Sequence, residues 1–233
     1  MKLEICANSY QSAINAQKAG ADRIELCSEL SVGGITPSYG LLQKVTKAIT
    51  IPKNVLIRPR SGNFCYSNKE FQQMKIDIKL CKRLGFNGIV SGVLNSDNTI
   101  DIKRTKELLE ISKPLSFTFH RAFDCVKKPK EALLELINLK VDRILTSGLE
   151  KNAEEGIKLL KELKQIAKNK IIILPGSGIN LNNVHKFKDA GFEEIHTSAS
   201  KEISNNTIFF DNTKQTVSSI KKIQKILKAI QNA

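Results

Sequence analysis

Short apolar runs alternate with longer stretches in which apolar positions recur every three to four residues, a pattern sustained along the whole chain. Such alternation marks βαβ units feeding a parallel sheet. The strand candidates are Leu3–Cys6, Ile24–Cys27, Val55–Arg58, Gly88–Val93, Leu115–His120, Arg143–Thr146, Ile171–Leu174 and Glu194–Ser198. Between them the spacing predicts helices, as in Ala132, Leu133, Leu136, Ile137 and Leu139. Ser67 with Glu70 forms a capping box, and Thr36 before Pro37, Asp101 and Asn180 are further N-cap candidates. An internal echo supports the repeat: Gly20-Ala-Asp-Arg-Ile-Glu-Leu-Cys-Ser28, Gly85-Phe-Asn-Gly-Ile-Val-Ser91 and Gly191-Phe-Glu-Glu-Ile-His-Thr-Ser198 each run from a helix-ending glycine through an apolar strand to a polar residue. Five or six such units would leave an open sheet; eight close a barrel. The expected fold is one (β/α)₈ TIM-barrel domain over residues 1–233, with a Lys-rich C-terminal helix over about 212–231.

Composition narrows the class. A length of 233 residues, with 41% hydrophobic residues and 13 Gly plus 6 Pro, suits one α/β barrel and excludes a disordered or fibrous chain. The five cysteines, Cys6, Cys27, Cys65, Cys81 and Cys125, include no CxxC pair and read as reduced thiols. With no apolar stretch of membrane-spanning length, the expectation is a cytoplasmic protein without membrane association. The net charge of +14 comes from 30 Lys against 7 Arg, the lysines falling mainly on helical segments and in the tail, as at Lys221, Lys222, Lys225 and Lys228. Solvated helix faces explain such lysines better than a specific nucleic-acid surface, where Arg interleaved with aromatics is expected.

In a barrel the chemistry belongs at the C-terminal strand ends. Period-two alternation places Glu4 with Cys6, Glu25 with Cys27, Thr118 with His120, and His196 with Ser198 on one face each. The apolar Ile5, Leu26 and Phe119 between them must cover the helices, so the polar set points inward. Buried glutamates need partners, and Arg58 and Arg60 after the third strand are the expected ones. This set is open to two interpretations, a structural ion-pair network at the mouth or a functional site. Of the three histidines, His185 is expected on a helix surface, whereas His120 and His196 end strands, where acid–base or metal work would need them. His120 is followed by Arg121 and Asp124. Glu25, Arg58, Arg60, His120, Arg121 and Asp124 are therefore the candidate catalytic residues. Ser147, Gly148, Gly176, Ser177, Gly178 and Ser198 form loops that suit either anion binding or plain turn chemistry. Cys6 and Cys27 end neighbouring strands, where two thiolates could hold Cu(I), or merely pack as small apolar groups.

Several motifs carry a resemblance: Glu4-Ile-Cys6, Ala21-Asp-Arg-Ile-Glu-Leu-Cys-Ser28, Gly33-Gly-Ile-Thr-Pro-Ser38, Ile57-Arg-Pro-Arg60, Phe119-His-Arg-Ala-Phe-Asp124, Leu145-Thr-Ser-Gly148 and Leu174-Pro-Gly-Ser-Gly178. Together they resemble the CutC family over residues about 2–200. The resemblance implies a TIM barrel with a role in cytoplasmic copper homeostasis and copper binding, and it marks Glu4, Cys6, Glu25, Cys27, Arg58, Arg60, His120, Arg121 and Asp124 as family-typical. It does not reach the Lys-rich tail. Two functions stand side by side: a copper-homeostasis protein binding Cu(I) through Cys6 and Cys27, with His120 or His196 nearby, or a lyase, isomerase or aldolase acting on a small phosphorylated or carboxylated metabolite. The expected partners are thus a metal ion or a small anionic metabolite, with no membrane and no specific nucleic acid; a homo-oligomer stays open.

Overall fold

The computed structural model describes residues 1–203 and 215–231. Eight parallel strands alternate with helices: β1 Lys2–Ala7, α1 Tyr10–Ala19, β2 Arg23–Leu26, α2 Tyr39–Ala48, β3 Lys53–Leu56, α3 Asn68–Leu84, β4 Gly88–Ser91, α4 Ile102–Ser112, β5 Ser116–Phe119, α5 Pro129–Asn138, β6 Arg143–Thr146, α6 Ile157–Ala167, β7 Ile172–Pro175, α7 Val184–Asp189 and β8 Glu194–Thr197. An antiparallel pair, β9 Ser200–Glu202 with β10 Thr216–Ser218, precedes α8, Ile220–Gln231. The sheet order β7-β6-β5-β4-β3-β2-β1-β8 brings β7 alongside β8 at the seam of a nearly closed (β/α)₈ TIM barrel.

The two faces of each strand divide as alternation dictates. Leu3, Ile5, Ile24, Leu26, Val55, Phe117, Phe119, Ile144 and Ile195 point outward into the layer between sheet and helices, all almost fully buried. That layer carries most of the apolar burial, at roughly 1.5–3 kcal/mol for each large side chain. The inward face is polar low in the barrel, and Cys6, Cys27, Leu56 and Val90 form a small apolar cluster above it.

Capping follows the sequence at Ser67, whose hydroxyl accepts from the Glu70 amide while the Glu70 carboxylate accepts from the Ser67 amide, and at Asp101, which accepts from the Arg104 amide. It departs from it elsewhere. Ser38, not Thr36, caps α2, because Thr36 is engaged with the Arg58 backbone through both its amide and its hydroxyl. Asn180 opens a side-chain turn onto the Asn182 amide, and α7 starts only after Asn183. The C-terminal helix begins at Ile220 rather than near 212; residues 212–214 lie outside the described residues. Thr216–Ser218 are instead extended, their backbone held by Asn8, by the Ser12 hydroxyl and by Asn15. Ile223, Ile226, Leu227 and Ile230 then bury one stripe of α8 against α1 and α7. No helix among the described residues is long and apolar enough to cross a membrane.

Candidate functional site

The lowest inward layer is an ion-pair chain. Arg23 on β2 donates to Glu4 Oε2 at 2.5 Å and to Glu194 Oε2 at 2.5 Å, and Arg143 on β6 reaches the same Glu194 oxygen at 2.9 Å. Asn54 adds a bond to Glu4 Oε2 at 3.2 Å. Register brings the first pair together, because Glu4 lies opposite Arg23 on one side and His196 on the other. Burial opposes charge on Glu4, yet the bond to His196 and the Arg23 guanidinium hold its carboxyl at about 2. Arg58 and Arg60 therefore do not partner the glutamates. Both follow the end of β3 and lie above this layer. Arg58 donates to the carbonyls of Val32, Gly34 and Gly62, and Arg60 pairs with Glu70 at the start of α3.

One layer up, Cys6, Glu25 and His196 converge, their ligand atoms all within 4.8 Å of one another. His196 Nδ1 is 2.8 Å from Glu4 Oε1 and 4.0 Å from Glu25 Oε2. Burial works against its charge, but Glu25, Cys6 and Glu4 around the ring hold its proton well above the usual histidine range. Glu25 Oε2 has no hydrogen-bond partner, and burial raises this carboxyl to about 7 against the pull of His196. Cys6 Sγ lies 3.5 Å from Cys27 Sγ. Contact with Cys27 and burial push the Cys6 thiol well up.

His120 stands apart from this cluster. Its Nδ1 accepts the Ala122 amide at 3.1 Å, so the neutral ring carries its hydrogen on Nε2, which has no partner. The ring packs 4.9 Å from Phe64. Gly92 makes room for it, since a β-carbon there would come within 2.7 Å of Nδ1. Burial, helped by Arg58, holds the His120 pKa at about 3. The unfolded chain, with an ordinary value near 6.5, takes up a proton that the folded ring refuses. Stability is therefore complete above the unfolded value and falls as the pH drops toward the folded one. We expect wild type to lose roughly 2 kcal/mol between pH 7.5 and pH 5 from this group alone, and His120→Gln to abolish that part of the slope in urea unfolding. Identical slopes in both proteins would refute the assignment.

A cavity of about 880 Å³ opens over these groups. Cys6, Glu25, Arg58, His120, Arg121, Asp124, Ser177, Gly178 and Ser198 line it; Cys27, Arg60, Ser147, Gly148 and Gly176 do not. Asp124 fills the first of the expected anion loops itself, its carboxylate accepting from Thr146 Oγ1 and from the amides of Ser147 and Leu149 while pairing with Arg121. Gly176 packs against Leu145 and His196. The Ser177 hydroxyl donates to the Lys151 carbonyl. His185 is exposed on α7, as expected.

Sequence reasoning missed Arg23, Arg143 and Glu194, although alternation from Glu25, Leu145 and His196 puts each of them inside. It also missed Lys222 and Lys225, which reach the cavity from α8. No local signal marks them.

Fold and site define a (β/α)₈ barrel with a polar, cavity-forming mouth at the C-terminal strand ends. The family model described as the CutC family matches residues 1–201, and the chain belongs to that family. A CutC family protein of Yersinia pestis (strain Pestoides F) is 48% identical over 203 residues, covering 87% of this chain and 80% of the relative. One from Photorhabdus laumondii is 48% identical over 200 residues, covering 86% and 80%. A solved CutC chain of Streptococcus agalactiae, assigned by name to copper homeostasis, is 33% identical with a TM-score of 0.80, covering 85% of this chain and 98% of that one.

Proposed function

We propose that this protein serves copper homeostasis by holding Cu(I) on Cys6 and Cys27 at the barrel mouth. The observation that carries this is the 3.5 Å separation of the two sulfurs, on neighbouring strands whose stagger could equally have parted them. The donor set fits a soft monovalent ion: two thiols with the imidazole of His196 beside Cys6. Glu4 lies 2.8 Å from Nδ1 of His196 and so fixes the orientation of the ring. Bound there, the metal would supply a soft centre for storage or transfer, while the chain's own part is to orient the ring and keep water from the sulfurs. The test is an anaerobic titration of the reduced protein with Cu(I) against a competing chelator. Wild type should bind stoichiometrically and Cys6→Ser/Cys27→Ser should fail to compete. Equal binding by both proteins would end this reading.

A second reading has its own support. The cavity is large enough for a metabolite, and one of its groups is suited to proton transfer: Glu25, raised to about 7. In this reading the protein is a lyase, isomerase or aldolase for a small anionic metabolite, with Arg58 holding the anion, Glu25 moving a proton and the neutral His120 offering a hydrogen bond from Nε2. Turnover found in a metabolite screen and abolished in Glu25→Gln would support it.

A further inference from the structure

Arg58 is a buried cation without a carboxylate. The residue is 5% exposed, its guanidinium donates only to three backbone carbonyls and to no acid among the described residues, and its Nε has no partner. A buried guanidinium held only by neutral groups leaves its charge uncompensated, which is costly. Of the acids that share the cavity, Asp124 pairs with Arg121, and neither Asp124 nor Glu25 forms an ion pair with Arg58. Arg58 and His120 flank the same ring, Phe64, at 4.9 Å each, and both line the cavity. His120 adds a second donor atom, Nε2, that has no partner.

A further pair of cations stands on another side of the same cavity. Lys222 and Lys225 are exposed on α8, three residues apart on one face, and both line the cavity. Lys222 Nζ is anchored on the Ser200 carbonyl at 2.7 Å, just past β8. Around the barrel wall β2 and β1 separate β3, which leads to Arg58, from β8. These lysines lie beyond residue 201, where the family match ends, so this pair of cations comes from the chain's own C-terminal segment.

We infer that the cavity takes a small organic dianion, one anionic group compensating Arg58 on the inner wall and the other bound by Lys222 and Lys225 at the rim. The inference rests on the metabolite reading above and deepens it by naming the ligand class. A volume of about 880 Å³ exceeds what a lone phosphate fills and falls within the range of small-metabolite sites.

The test is calorimetric titration of the full chain with succinate and glutarate as dianions, propionate and butyrate as single-headed anions, and glycerol as the neutral control. At least one dianion should bind about ten-fold more tightly than the single-headed anion sharing one of its groups, and glycerol should not bind. Lys222→Ala/Lys225→Ala should erase that preference. Lys221→Ala/Lys228→Ala, with the same change of charge on the same helix but off the cavity, should keep it. Arg58→Gln should weaken every anion, and the lysine pair keeps the test decisive if that variant fails to fold. Binding by no dianion, no preference over single-headed anions, or equal weakening by both lysine pairs would overturn the inference. Binding is read apart from turnover: dianion binding without turnover would sink only the enzyme reading, and turnover without dianion preference would sink only this one.

Discussion

Arg23→Met is expected to destabilise the barrel by about 3–5 kcal/mol, the loss that follows when one member of a buried charge network is removed. Arg23 bridges two carboxylates inside the barrel, Glu4 and Glu194, and its own side chain is 10% exposed. Without it Glu194 keeps only Arg143, and Glu4 keeps His196 and Asn54. These remaining partners place the effect toward the lower end of the range. The measurement is urea unfolding at neutral pH, and a loss below about 1 kcal/mol would show that the network contributes little. Adding Glu4→Gln to Arg23→Met removes one of the stranded charges and should recover part of the stability. That recovery separates electrostatics from the lost packing of the arginine stem.

Asp124→Ala should cost about 2–4 kcal/mol, because its carboxylate satisfies several donors at once and each buried donor left unpaired costs about 1–3 kcal/mol. The donors are the Thr146 hydroxyl, the amides of Ser147 and Leu149, and the Arg121 guanidinium. Asp124 is thus the fastening between the loop after β5 and the loop after β6. In thermal unfolding the variant should melt well below wild type, and Cu(I) affinity should be unchanged, since Asp124 touches none of the sulfur and imidazole donors. Wild-type stability together with lost ligand binding would return Asp124 to a direct role in the site.

Much of the barrel was legible from alternation alone. Glu4, Cys6, Glu25, Cys27, Thr118, His120 and His196 are all buried, as the apolar residues between them required. Ser67 and Asp101 cap their helices because a side-chain oxygen beside free amides needs no distant partner. The pairing of charges was less legible. Arg58 and Arg60 looked like partners for the glutamates because they follow the third strand at the C-terminal end of the barrel, where the inward polar residues gather. Their height above the lowest layer rules this out, and the arginine that does the pairing sits two residues before Glu25.

Spacing along one strand determines which face a residue takes, so the sequence by itself settled the eight strands, their inward polar face and the caps at Ser67 and Asp101. Which residues meet across strands depends on the stagger of a closed sheet. Tertiary structure therefore decided that Cys6 and Cys27 lie in contact, that Arg23 joins Glu4 to Glu194, and that Asp124 occupies the loop its own neighbours form. It also decided the place of Lys222 and Lys225. Their role depends on how the apolar stripe of α8 docks against α1 and α7, a long-range packing choice that no local pattern encodes.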